Sequence, residues 1–226
     1  MPSRVELPLA SVAAKPASSP GKSAVPEQAR PPGLSRAEQL YQQSLAQNKQ
    51  GQSDQAQKSL REALEIQPQH VEARLALAKL LVDKTQSNAA AELLADGVML
   101  LPRQASFTLA LAPLWFQSGQ QDDALALLAQ QAKSTNNSPQ FHAYYASQLM
   151  RLKRHADAAT QYRAALRDDP GAVDWLIGLG ISLQGAGNNK EALETFRRAY
   201  ETGKLSPEKR DLVEQMIAGL KAKLRP

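Results

Sequence analysis

The chain has 226 residues, 42% hydrophobic, 22% charged and only 5% aromatic, a size for one domain or two small ones. It has no cysteine, which excludes disulfide scaffolds, CxxC redox chemistry, cysteine nucleophiles and thiolate zinc sites; its three histidines, His70, His142 and His155, include no i,i+4 pair for a helical metal motif. The net charge of +5 divides into +3 over residues 1–36 and +2 over residues 207–226, leaving 5 − 3 − 2 = 0 for the body, so there is no clustered basic face of the kind nucleic acid requires.

At the N-terminus, Pro2-Ser3-Arg4-Val5-Glu6-Leu7-Pro8 interrupts any apolar run before it reaches the length of a signal-peptide core. No window approaches a membrane span. Seven of the fourteen prolines fall within residues 1–35, interleaved with Ala, Ser and Gly. Without apolar periodicity that stretch cannot offset its ordering entropy, and it reads as a disordered linker. From Leu34 the composition turns to helix formers, and Ser35 with Glu38 predicts a capping box opening the first helix.

Residues 37–206 repeat with a period of 34, in blocks 37–70, 71–104, 105–138, 139–172 and 173–206. The twentieth position is Ala56, Ala90, Ala124, Ala158 and Ala192. The eighth is small throughout: Ser44, Ala78, Ala112, Ala146 and Gly180. The twenty-fourth is large and apolar: Leu60, Leu94, Leu128, Tyr162 and Phe196. Two antiparallel helices approach closely only where small side chains let the backbones meet, with a bulky residue filling the adjacent gap. Gly51, Gly119 and Gly187 supply the left-handed turn between the helices of a block. Pro68, Pro102 and Pro170 stop the second helix, and Pro113, inside a first helix, predicts a kink there.

Beyond the fifth block, Ser206-Pro207 is a helix start, and residues 207–226 read as a capping helix. Its buried stripe is expected to be Leu212, Val213, Met216, Ile217 and Leu220, with Arg210, Lys221 and Lys223 outside.

Other constellations have structural explanations. Gly178, Gly180, Gly185 and Gly187 follow no strand and lack the Gly-Lys-Ser/Thr of a nucleotide loop. Asp122-Asp123 and Asp168-Asp169 sit at helix ends, where exposed acids are routine. His142 and His155 are too far apart along the chain to be helix neighbours, and Trp115 and Trp175 read as packing anchors. No nucleophile, base and oxyanion arrangement can be assembled, so the chain reads as a non-enzyme without cofactor or metal.

This pattern resembles the tetratricopeptide repeat (TPR), a 34-residue helix–turn–helix unit. The resemblance implies an all-α, right-handed solenoid of five helix pairs plus the cap. It departs from the family at the fourth position, often Trp, which here is Leu40, Arg74, Thr108, His142 and Leu176. In such arrays the first helices line a concave face, which binds protein or peptide partners. The resemblance thereby places Tyr41, Leu45, Leu75, Lys79, Val82, Leu109, Phe116, Met150, Arg151, Ile177, Ile181 and Gln184 in a mostly apolar groove, with Asp83 among its few charges and Tyr144 at its edge. An amphipathic helix or an extended hydrophobic peptide would fill it.

The segment Asp174-Trp175-Leu176-Ile177-Gly178-Leu179-Gly180-Ile181-Ser182-Leu183, with Glu191-Ala192-Leu193-Glu194 and Leu205-Ser206-Pro207, resembles the C-terminal end of MshN-type proteins of mannose-sensitive haemagglutinin (MSHA) pilus biogenesis, a branch of the type IV pilus machinery. That resemblance implies a scaffold for a pilus-assembly component at the periplasmic face of the inner membrane. The family's N-terminal membrane anchor has no counterpart in the sequence as given. The alternative is a TPR adaptor or chaperone of another envelope or cytoplasmic complex.

Overall fold

A computed structural model describes residues 34–134 and 137–225. The linker expected over residues 1–35 lies almost entirely outside them. Eleven α-helices and no strand occur among the described residues: α1 (Arg36–Lys49), α2 (Ser53–Ile66), α3 (Val71–Asp83), α4 (Ser87–Leu100), α5 (Ala105–Gln117), α6 (Gln121–Gln131), α7 (Pro139–Arg151), α8 (His155–Ala165), α9 (Val173–Gly185), α10 (Asn189–Glu201) and α11 (Pro207–Lys223). They pair as first and second helices (A and B) of five units, with α11 docked on α10.

The small columns make the pairing possible. Ala56, Ala90, Ala124, Ala158 and Ala192 are all fully buried, and Ser44, Ala78, Ala112, Ala146 and Gly180 face them from the A helices, also buried. Beside them Leu60, Leu94, Leu128 and Phe196 are fully enclosed. Each such large side chain contributes about 1.5–3 kcal/mol through removal from water. A Cβ at Gly180 would stand 2.7 Å from the Phe196 ring, and one at Gly97 2.6 Å from Arg74 Cδ. At these two positions only the absence of a side chain admits the neighbour.

The A–B turns all pass through the left-handed region at the same place in the repeat. Gly51, Gly119 and Gly187 do so at φ of +76°, +84° and +84°. In the second and fourth units the position belongs to Thr85 (+62°) and Lys153 (+59°), so the turn geometry is imposed by the packed helices even where the residue disfavours it.

Caps set the helix starts. Ser35 Oγ accepts the Glu38 amide at 3.1 Å, Ser138 Oγ that of Phe141 at 3.2 Å and Ser206 Oγ that of Lys209 at 3.4 Å. Only half of the expected capping box forms. The Glu38 carboxylate is instead taken up by Gln42 Nε2 at 2.8 Å and His70 Nε2 at 3.1 Å, because His70, the last residue of the first repeat, is buried at the start of α3. His70 also caps α3, its Nδ1 lying 3.3 Å from the Ala73 amide nitrogen. Ion pairs Lys84–Asp54, Arg163–Glu191 and Lys209–Asp174 tie successive units along the surface. Helix α5 runs through Pro113 without interruption.

The cap departs from its expected stripe in one residue. Val213 and Leu220 are buried and Met216 and Ile217 half-buried, but Leu212 is 37% exposed. It is adjacent to Val213, which points at α10, and a helix turns about 100° per residue, so both cannot face the same neighbour. Glu214 stands in α11 at the place where every repeat has a small residue, and it is exposed. The face that receives a B helix in a repeat is therefore charged, as a terminal solvating helix requires.

The fourth position of the three central units is polar and buried. Arg74 is only 6% exposed, and it donates to Leu93 O at 2.9 Å and Pro68 O at 2.8 Å, closing the junction between units one and two. Desolvation pulls its pKa below the usual arginine value. His142 bonds Gln161 through Nδ1 at 2.9 Å. Thr108 Oγ1 is buried without a hydrogen-bond partner.

Candidate interaction face

The A helices of the later units approach one another, α5 to α7 and α7 to α9, whereas no pair of B helices comes as close. Elements nearer the axis of a curved stack lie closer together, so the A helices form the inner side of the solenoid.

The side chains expected on that face divide into three groups. Tyr41 and Leu75 are half-buried against the core of the first two units, with Leu45 and Val82 exposed at its edge beside the exposed Lys79. Leu109 and Phe116 on α5 and Tyr144 and Met150 on α7 are each half-buried over one core built on Leu128, Phe141 and Leu149. Ile181 and Gln184 are half-buried at the C-terminal end. Ile177 differs from the expectation: it is 8% exposed and belongs to the core beneath. Helix α9 packs more extensively on its neighbours α8 and α10 than α5 does on α4 and α6, so its fifth position is buried where that of α5 is only half-buried.

The central group has a polar margin. Arg151, exposed, donates to Gln148 Oε1 at 3.0 Å. Burial pushes the Tyr144 hydroxyl up to about 12, only partly opposed by the positive charge of Arg151. Tyr144 is therefore a neutral O–H group in an apolar setting, able to donate or accept a single hydrogen bond.

One surface had not been singled out from the sequence. An open groove of about 650 Å³ runs along Leu100–Ser106, Leu109 and Ser138. Beside it Met99 and Leu100 are 81% and 43% exposed. The signal was present in Val98-Met99-Leu100-Leu101, an apolar run longer than the buried face of α4 can use. Trp115 is half-buried against the cores on both its sides, as a packing anchor is. Among the described residues no group of three or more His, Asp or Glu converges, and no helix is long and apolar enough to cross a membrane.

The fold has close counterparts. The crystal structure of MamA protein superposes with a TM-score of 0.60 at 21% identity, covering 74% of this chain and 91% of that one. YrrB, described as a TPR protein with an unusual peptide-binding site, gives 0.59 at 16%, over 78% and 89%. A tetratricopeptide repeat protein from Parabacteroides merdae gives 0.62 at 16%, over 83% and 75%. No curated protein matches the sequence. Family models described as tetratricopeptide repeat match residues 24–169 and 146–207, and the chain belongs to the tetratricopeptide repeat family.

Proposed function

We propose that the chain is a non-enzymatic scaffold that captures an apolar segment of a partner protein along its A-helix face, and that this partner is a component of an MSHA-like type IV pilus. What supports the binding mode is that Leu109, Phe116, Tyr144 and Met150, from two helices, are each half-buried over one core, with Arg151 near enough to act on Tyr144. Such a surface takes the apolar face of a helix or alternate side chains of an extended peptide. YrrB, which shares the fold, is described as having a peptide-binding site. The pilus assignment rests on the α9–α11 sequence and its resemblance to MshN-type proteins. In this reading the domain plan is an N-terminal spacer over 1–35, five repeats over 37–206 and a cap over 207–226.

The test is a titration of candidate pilus-assembly proteins against wild type, Phe116→Ala, Ile181→Ala and a chain lacking residues 1–33. An anchor aromatic at an interface centre is worth about 2 kcal/mol, so Phe116→Ala is expected to weaken capture roughly thirtyfold. Because Phe116 is half-buried, its thermal midpoint is recorded as well and should fall less than that of Leu128→Ala. Unchanged affinity in both point variants, with loss on deleting residues 1–33, moves recognition to the Pro-rich segment. Capture of none of the pilus proteins favours an adaptor for a different complex using the same face.

A further inference from the structure

Helices α6 and α7 are the one successive pair, among the described residues, that do not approach closely. A cavity of about 470 Å³ opens at that junction, lined by Ala132, Lys133, Ser134, Asn137, His142, Ala164, Arg167 and Asp168. It lies among the loops between units and is distinct from the apolar A-helix face.

The polar groups of its frame are already used. Gln131 Nε2 donates to Asn137 Oδ1 at 2.9 Å, and Asn137 Nδ2 donates to Gln131 O at 2.7 Å and Ser134 O at 2.9 Å. Three groups from three elements remain. Lys133 follows α6 and makes no ion pair. Arg167 follows α8, makes none either, and has one long bond of 3.5 Å from Nε to Ala164 O. His142 on α7 is 9% exposed, with Nδ1 held by Gln161 Oε1, and its Nε2 has no protein partner. The one carboxylate of the lining, Asp168, pairs with neither cation. Lys133 and Arg167 occupy the same place in consecutive repeats, where the other units have Glu65, Met99 and Glu201, so the basic pair belongs to this junction and not to the repeat.

We propose that this cavity is a binding site for a small oxyanion of the phosphate class. Lys133 and Arg167 against Asp168 give +1, rising to +2 when His142 is protonated, which suits a phosphate monoester or a sulfate. A tetrahedral anion offers acceptor oxygens in several directions and so engages donors arriving from three elements at once, whereas a planar carboxylate offers two. Lys supplies a point charge and Arg a planar fork. His142 is the selective element. With Nδ1–H given to Gln161, the neutral ring presents an Nε2 lone pair, which repels an anion, and the imidazolium presents an N–H, which binds it. Anion binding and protonation of His142 therefore favour each other. The groups that set the outcome are Lys133 after α6, and Gln161, Arg167 and Asp168 on or after α8.

The experiment titrates the whole chain with inorganic phosphate, sulfate and acetate at constant ionic strength, following backbone amide resonances. Phosphate and sulfate should shift residues 132–134, 137–142 and 164–168 saturably, with acetate about tenfold weaker. Lys133→Ala and Arg167→Ala, both exposed and so without effect on folding, should each weaken sulfate roughly fivefold. His142→Gln, which cannot present the imidazolium N–H, should weaken sulfate severalfold under acidic conditions. An unchanged thermal midpoint for His142→Gln separates this from unfolding, and the two exposed variants test the site if it unfolds. Blocked O-phosphoserine identifies the source: much tighter binding than inorganic phosphate assigns a phosphorylated side chain, and equal binding a free anion. No saturable shift in these segments, or the same sulfate affinity in the Lys133→Ala/Arg167→Ala double variant, overturns the proposal.

Discussion

The ring of Tyr162 on α8 lies against the backbone of Gly178 on α9 so closely that a Cβ there would stand 2.3 Å from Tyr162 Cζ and 2.7 Å from its hydroxyl oxygen. Two residues on, Gly180 admits Phe196 of α10 in the same manner. Residues two apart on a helix face nearly opposite ways, so α9 is clasped from both sides through its two glycines. The run Gly178-Leu179-Gly180 is thus a packing device.

Gly178→Ala should therefore destabilise the protein. Alanine recovers up to about 1 kcal/mol of helix propensity, but overpacking a closed core costs about 1–3 kcal/mol, and the nearest atoms belong to a ring that is itself buried. In a Tyr162→Leu background the same change should be neutral or stabilising. Denaturant unfolding of the four chains of this cycle measures it, and a coupling near zero would show that the ring yields freely.

The small columns allow a sharper test of register. Ala90→Leu and Ala124→Leu, each at a fully buried position, should cost on the order of 1–3 kcal/mol. Gln121→Leu, one turn before Ala124 but exposed, should be nearly silent. Equal midpoints in denaturant for all three would contradict the pairing described above.

At the A–B turn of the second unit, Thr85 is held at a φ of +62°. A β-branched residue there costs about 1–3 kcal/mol in local strain, and glycine, which holds the equivalent place in three other units, has no such cost. Thr85→Gly should raise stability by about 1 kcal/mol, less what the more flexible unfolded chain regains. A thermal melt showing a fall would indicate that the bond from Thr85 Oγ1 to Lys84 O at 2.6 Å outweighs the strain.

Burial raises the hydroxyl pKa of Tyr144, Tyr145 and Tyr162 above the ordinary tyrosine value, the first to about 12. In the unfolded chain these groups lose protons near pH 10, while the folded protein retains them. Stability should therefore be level below about pH 10 and fall as the pH rises toward the folded values. Phenylalanine at Tyr162 should flatten part of that fall, and a melt series across alkaline pH reads it directly.

The helical solenoid was legible in the sequence because its cause is local and recurrent. A 34-residue alternation of small and bulky positions constrains every pair of adjacent helices in the same way, so Ala56 and Ala192 carry the same information at opposite ends of the array. The start of α11 at Ser206-Pro207 was legible for a similar reason, since a cap is satisfied within one turn. What depends on a second neighbour was not. Ile177 matches Leu109 in repeat position, yet it is buried where Leu109 lines a groove, because α9 packs more extensively on α8 and α10 than α5 does on α4 and α6. Leu212 faces outward because Val213 takes the core. Thr85 and Lys153 adopt a glycine's conformation because the helices on either side are already fixed. The spacing of α6 from α7, and with it the convergence of Lys133, His142 and Arg167, follows from how bulky residues such as Leu128 and Phe141 share one core between two units. Periodicity determines which residues can pair; the distance between pairs is set by the summed volume of side chains from several repeats, and only the assembled tertiary structure decides it.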